Sequence, residues 1–329
     1  MTGACSRCDR VLSALLESLQ DADVRALAWT IGSPSLFNAD HPLWLGRLRT
    51  DAWAARELAR CADWLIAQDH APEATRQALG DPLVRTPLGH TFEKLVLFWQ
   101  ATRPDVRAFT HGLMVRSGGR TLGEFDIVLL RHDGVIETLE VTVKYYLNLR
   151  PELGIDGCIG PRAFDRMSHK FDKMTTRQTD LGHTEFGRAA IARWLEISCG
   201  ETHSPDQLVI ENFALSRGYV FHPSHDALIP SELSPVHQRG LWQTDATALP
   251  DDADADGAMM WRNLASREWL GPYRGPLAES GWPNDPAMPR LYARVVEREA
   301  QWRETERRFV VRADAGLLKS VHRDGPVDA

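Results

Sequence analysis

Lysine is nearly absent from this chain. Of 38 basic residues, only Lys94, Lys144, Lys170, Lys173 and Lys319 are lysines; the other 33 are arginines. Cysteine is sparse as well. Cys5, Cys8, Cys61, Cys158 and Cys199 are odd in number and form no framework, which excludes a disulfide-stapled scaffold and makes a reducing cytoplasm the expected location. Cys5-x-x-Cys8 has the spacing of half a zinc site, but no second pair follows it. No apolar run approaches the roughly 18 residues of a membrane helix, so no membrane partner is expected. The opening MTGACSRCDR has no basic region followed by an apolar one, so no secretory signal is expected either. There is no glycine-rich phosphate loop, serine nucleophile elbow, HExxH pair or internal repeat. These absences remove the commonest nucleotide-binding, acyl-transfer and zinc-protease readings.

What remains is ordinary in bulk. A 43% hydrophobic and 25% charged composition over 329 residues fits a soluble globular chain with one large or two moderate domains. It excludes global disorder and a collagen-like repeat. The net charge of −7 excludes a strongly basic coat, yet the charge is segregated: residues 85–178 hold 14 basic and 11 acidic side chains, against 24 and 34 elsewhere. Four of the five lysines fall between positions 94 and 173.

Residues 9–30 and 51–69 read as amphipathic helices, the second with Trp53, Leu58, Cys61, Leu65 and Ile66 near one stripe. RTPLGHTFEKLVLFWQAT predicts a helix with Thr86 as N-cap, Pro87 in its first turn and Glu93 at the edge of its apolar face. The period then changes. Residues 106–115, 123–130 and 135–147 predict three consecutive antiparallel strands, followed by a polar helix over 162–178 and one or two strands within 206–223. The Asp-rich stretch 244–257 reads as a solvated loop, and 288–307, with intermixed acids and arginines, as a helix before the strand RFVVRAD. The eleven tryptophans include Trp242, Trp261, Trp269 and Trp282, which could be base-stacking platforms but are more commonly core anchors.

Four polar residues stand out on this helix–strand–strand–strand–helix–strand order: Glu93, Asp126, Glu140 and Lys144. A charge in an otherwise apolar strand is costly unless it is paired, solvated or bound to metal. Period-2 geometry puts Glu140, Thr142 and Lys144 on one face. A three-residue loop, His132-Asp133-Gly134, places Asp126 opposite Glu140 and Glu124 opposite Thr142, whereas a two-residue turn would put Asp126 on the wrong face. Clustered carboxylates suit a hard divalent cation such as Mg²⁺ or Mn²⁺, and a compact ammonium nearby suits water activation. Arg166, Lys170, Lys173 and Arg177 follow helical spacing and predict a basic stripe, facing outward or toward a phosphate backbone. The competing reading is a surface ion pair between strands and an ordinary solvated helix.

GHTFEKLVLFW, TLGEFDIVLL, LEVTVKYYL, GPRAFDRMSHKFDKM and GYVFHP, in this order, resemble the bacterial domain-of-unknown-function family 1853 (DUF1853), which is placed in the PD-(D/E)XK nuclease-like superfamily. The resemblance implies an α/β fold: a restriction-endonuclease-like αβββαβ core with a mixed central sheet over 81–223. A helical extension over 1–80 precedes it, and an α/β extension over 224–329 packs on it. It implies a Mg²⁺- or Mn²⁺-dependent nuclease acting on DNA or RNA, with Asp126, Glu140 and Glu93 toward the metal and Lys144 on the attacking water. One departure is visible: the superfamily acid stands two residues before the lysine, where this chain has Thr142. A bulge could shorten the distance from Glu140, Glu124 could supply the carboxylate, or the site is retired. The alternatives are a nuclease-like module that binds nucleic acid without cutting, or a structural protein.

Overall fold

The computed structural model describes residues 5–81, 86–245, 249, 259–276 and 289–312, with side chains from Arg10 onward. The Cys5–Cys8 side chains, most of the 244–257 stretch and Trp282 lie outside the described residues. Five helices come first: α1 (Cys5–Ser18), α2 (Ala22–Gly32), α3 (Asp51–His70), α4 (Glu73–Leu79) and α5 (Leu88–Ala101). The single helix expected over 9–30 is two. The Asp21 carboxylate accepts the N–H groups of Asp23 and Val24, which starts a second helix and ends the first. α5 begins one residue later than expected, with Pro87 rather than Thr86 at the N-cap.

Three long strands follow, β1 (Val106–Ser117), β2 (Arg120–Arg131) and β3 (Ile136–Asn148), antiparallel to one another as the alternation required. After a short strand β4 (Cys158–Ile159) come α6 (Met167–Lys173) and α7 (Glu185–Cys199), then β5 (Ile210–His222), parallel to β3. The helix expected over 162–178 is shorter and two-part: residues 174–178 form a π-helical turn. The remaining strands are β6 (Gln238–Thr244), β7 (Met259–Asn263), β8 (Arg274–Gly275), β9 (Arg290–Arg298) and β10 (Gln301–Val311).

The helix expected over 288–307 is therefore wrong: those residues are the β9–β10 hairpin. Leu291, Ala293 and Val295 are buried and alternate with half-buried Arg290, Tyr292 and Arg294, a period of two. The turn is Glu299-Ala300, both at positive φ (53° and 60°). Such turns are usually marked by Asn-Gly or Asp-Gly, so the sequence carries no hairpin signal there.

The strands form one ten-stranded mixed sheet, with path order β1-β2-β3-β5-β6-β10-β9-β7, β4 beside β3 and β8 beside β10. The chain is thus a mixed α/β fold. One face, with Ile127, Leu129, Leu139, Val141, Val143, Leu215, Phe221 and Phe309, packs under α1, α2, α3 and α5 in a single apolar cluster. The opposite face meets α7 around Val128, Leu130 and Ile136, and meets α6 around Tyr146 and Val220. The described tryptophans singled out above are structural: Trp269 packs on Tyr145 and Phe309, Trp242 donates Nε1–H to Asn148 O, and Trp261 lies under Arg308.

A buried histidine pair ties β5 to the segment before β6. His237 Nδ1–H donates to Ser234 O at 2.6 Å, leaving its Nε2 bare to accept His222 Nε2–H at 3.2 Å. His222 Nδ1 then accepts from Asn148 Nδ2 at 3.3 Å. The partners thereby assign both tautomers. Burial pushes both rings down to about 4. The unfolded chain, titrating near 6.5, binds more protons than the fold between those values. The contribution of the pair to stability is therefore complete above pH 6.5 and is lost as pH drops toward 4. The urea-midpoint advantage of the wild type over His222→Gln should shrink from pH 7 to pH 5; an advantage that does not change with pH would refute the assignment.

Candidate active site

The β2–β3 ladder stops at Ile127–Leu139. One residue beyond, the Asp126 side chain fills the opening: its Oδ2 accepts the Val141 N–H at 2.9 Å. A backbone donor that would otherwise be orphaned is thus taken by a carboxylate. The three-residue loop is as expected. Arg131 N–H donates to Val135 O at 2.9 Å and Gly134 adopts φ 84°, so the register brings Asp126 across from Glu140. Glu124 does not reach Thr142, because the ladder ends first; it pairs across from Met114 on β1 and is exposed.

Asp126 and Glu140 face each other across the notch, close enough that each carboxyl shifts the proton affinity of the other. Glu140 is buried, 6% exposed, and its Oε1 accepts from Lys170 Nζ at 3.3 Å and from Gln178 Nε2. Desolvation, reinforced by the Asp126 charge, pushes Glu140 up to about 8, while Lys170 opposes the shift. Desolvation also raises Asp126, against the lowering effect of the Val141 N–H.

Lys170 and Gln178 meet at one oxygen because of the π turn. Two α-helical turns take about 7.2 residues, and one inserted residue makes that about 8.2, so positions eight apart share a face. Lys170 Nζ also donates to Gln178 Oε1 at 3.2 Å. The expected basic stripe is accordingly split. Lys170 turns inward to Glu140, Lys173 and Arg177 are exposed, and Arg166 is half-buried at the foot of α6.

Lys144 is on the Glu140 face of β3, as alternation required, but its ammonium is engaged elsewhere. Nζ lies 2.5 Å from Asp165 Oδ2, and Tyr146 OH donates to Asp165 Oδ1 at 3.4 Å. Behind it, β5 runs close: Gly218, at φ 142°, pairs with Lys144, and a Cβ there would lie 1.8 Å from Lys144 O. Glu93 on α5 is half exposed, pairs with His90 Nδ1 at 3.5 Å, and its charge adds to the raised pKa of Asp126. Among the described residues, no three His, Cys, Asp or Glu side chains gather around one point. Sequence reasoning missed Asp165 and Gln178 as partners. Both arrive from a loop and an irregular helical turn, which carry no spacing signal.

The pair can hold a proton, or a hard cation in its place. Paired carboxylates in a desolvated notch are oxygen donors of the type Mg²⁺ takes, one or two at a time, while it keeps its waters. No helix among the described residues is long and apolar enough to cross a membrane. No curated protein and no solved structure matches the chain. A family model described as Domain of unknown function (DUF1853) matches residues 25–311, most of the chain, and the chain belongs to that family.

Proposed function

We propose that this protein is a divalent-cation-dependent phosphodiesterase acting on nucleic acid, built on a restriction-endonuclease-like core of the PD-(D/E)XK type. The observation that supports it best is the buried Asp126–Glu140 pair with Lys170 at 3.3 Å, on the strand order α5-β1-β2-β3-α6/α7-β5. Asp126 and Glu140 would hold Mg²⁺ or Mn²⁺, which supplies charge neutralisation at the phosphoryl oxygens. Lys170 is the ammonium nearest the acids and stabilises negative charge developing beside them. Lys144, held by Asp165, takes the second position, orienting a water at the mouth of the notch. Glu93 adds negative potential at the entrance. The exposed Lys173 and Arg177, with Arg166, would meet phosphates.

A cation must displace the proton that Glu140 holds, so its binding strengthens as pH rises. Mn²⁺ is expected to raise the melting temperature more at pH 8.5 than at pH 6.5, and Asp126→Asn to abolish that rise. Hydrolysis of labelled single- and double-stranded DNA and RNA should fall at least about 100-fold in the same variant, as loss of one transition-state charge contact does. Calorimetry showing no Mg²⁺ or Mn²⁺ binding would remove the hydrolase.

The separate engagement of Lys144 by Asp165, and the exposure of Glu93, favour a second reading: a nuclease-like module that binds nucleic acid without cutting it. Retained binding with no cleavage by the wild-type protein would select that reading.

A further inference from the structure

Beside the acidic notch, a short loop holds an aromatic ring in open solvent. Phe164 is 94% exposed, the highest value among the large hydrophobic side chains described. Single exposed apolar residues are common and need no explanation by themselves. This one differs in how it is held. The loop is pinned at its base by the Ile159–Arg166 bridge, by Gly160 N–H donating to Asp165 O at 2.7 Å, and by Ala163 N–H donating to Gly160 O at 2.8 Å. Ala163, immediately before the phenylalanine, is held at φ 64°, a conformation an L-residue with a Cβ adopts at a cost. Asp165, immediately after it, is fixed by Lys144 and Tyr146 of β3. The ring is therefore presented by a braced loop whose next residue grips the strand that carries Glu140.

Along the chain, Arg162 is exposed on the same loop, and Lys173 and Arg177 are exposed on the helical segment that follows, with Asp172 the exposed acid among them; Asp165, next to the ring, is paired with Lys144. An exposed aromatic face with flanking cations is the arrangement that stacks an unpaired base while neutralising its phosphates.

We propose that Phe164 is a base-stacking platform for single-stranded nucleic acid, with Arg162 and Lys173 contacting the flanking phosphates. This rests on the nucleic-acid reading above and narrows it to a strand with unpaired bases. Stacking needs no cation, so it is testable apart from hydrolysis.

The experiment uses the full chain in EDTA with fluorescein-labelled dA20 and dT20 strands, the corresponding duplex, and a strand containing 2-aminopurine. Wild-type protein should bind the single strands more tightly than the duplex and quench the 2-aminopurine. Phe164→Ala should weaken single-strand binding about 5- to 100-fold, the range expected for loss of one stacked base. Phe164→Leu should behave like the alanine variant, because it keeps apolar surface but has no ring face, and Phe164→Trp should retain binding. Equal affinity of wild type and Phe164→Ala would overturn the proposal, as would a Phe164→Leu variant with wild-type affinity. Retained stacking in a protein that cleaves nothing would overturn the hydrolase and leave the platform standing. Preference for duplex over single strands would overturn the platform and leave the hydrolase standing.

Discussion

Arg307→Met is expected to destabilise the protein by about 3–5 kcal/mol, the cost typical of leaving a buried charge without its partner. Arg307 is 2% exposed, and the side chain of the acid it pairs with, Glu304, is 8% exposed, with Nε to Oε1 at 2.6 Å. The guanidinium also donates to Trp269 O at 2.7 Å and to Gly271 O, and lies 4.6 Å from the Tyr219 ring centre. The charge of Glu304 holds its pKa up against desolvation, so the arginine stays charged. Methionine fills much of the same volume but answers none of those acceptors. Glu304 would keep one donor, the Tyr273 N–H at 2.7 Å, and little else. Glu304→Gln should cost less than Arg307→Met, because the amide oxygen still accepts from the guanidinium, which keeps the Trp269 and Gly271 carbonyls as acceptors. Urea unfolding of the two variants checks the order. A midpoint for Arg307→Met within error of the wild type would mean the network contributes nothing beyond its volume.

Glu140→Gln is expected to have the opposite sign at alkaline pH. Glu140 titrates near 8 in the fold and near 4.5 unfolded. Between those values the fold binds more protons than the unfolded chain, so the contribution of this group to stability falls as pH rises through that window and is lowest above pH 8. A tenfold difference in proton affinity between the two states is worth about 1.4 kcal/mol, which puts the total loss on the order of a few kcal/mol. Glutamine imitates the protonated acid and cannot ionise, so the variant should be the more stable protein at pH 9 and nearly equal at pH 5. The gain above pH 8 should vanish when Mn²⁺ is added to the wild type, because a cation compensates the pair that glutamine removes. A wild-type curve that rises from pH 5 to pH 9 as steeply as the variant's would show that Glu140 ionises freely. That result would also take away the reason for placing a cation there.

Both expectations concern charges in strands, yet only one of the two clusters is legible in the sequence. Asp126 and Glu140 face each other because side chains alternate and a loop of three residues with glycine at its end fixes the parity. Those are local rules, readable from HDG and the flanking apolar residues. Glu304 and Arg307 read as part of a helix, since acids and arginines interleave there and the Glu299-Ala300 turn lacks the usual glycine. The alternation of Leu291, Ala293 and Val295 decides the strand only when β10 and β7 are present on either side to pair with it.

Composition, period and turn chemistry by themselves determined the three antiparallel strands, the helix before them, the face shared by Glu140 and Lys144, and the pairing of Asp126 with Glu140. Which cation serves which acid was decided only in three dimensions. Lys144 and Lys170 have the same charge and sit on elements the sequence located, at least in outline. An ammonium on a flexible stem takes whatever carboxylate the packing brings within reach. For Lys144 that is Asp165, from a loop pinned back onto β4; for Lys170 it is Glu140, because a π turn aligns it with Gln178. Spacing along a chain fixes the direction in which a side chain leaves the backbone. The partner it meets depends on how separate elements pack, and no local pattern records that.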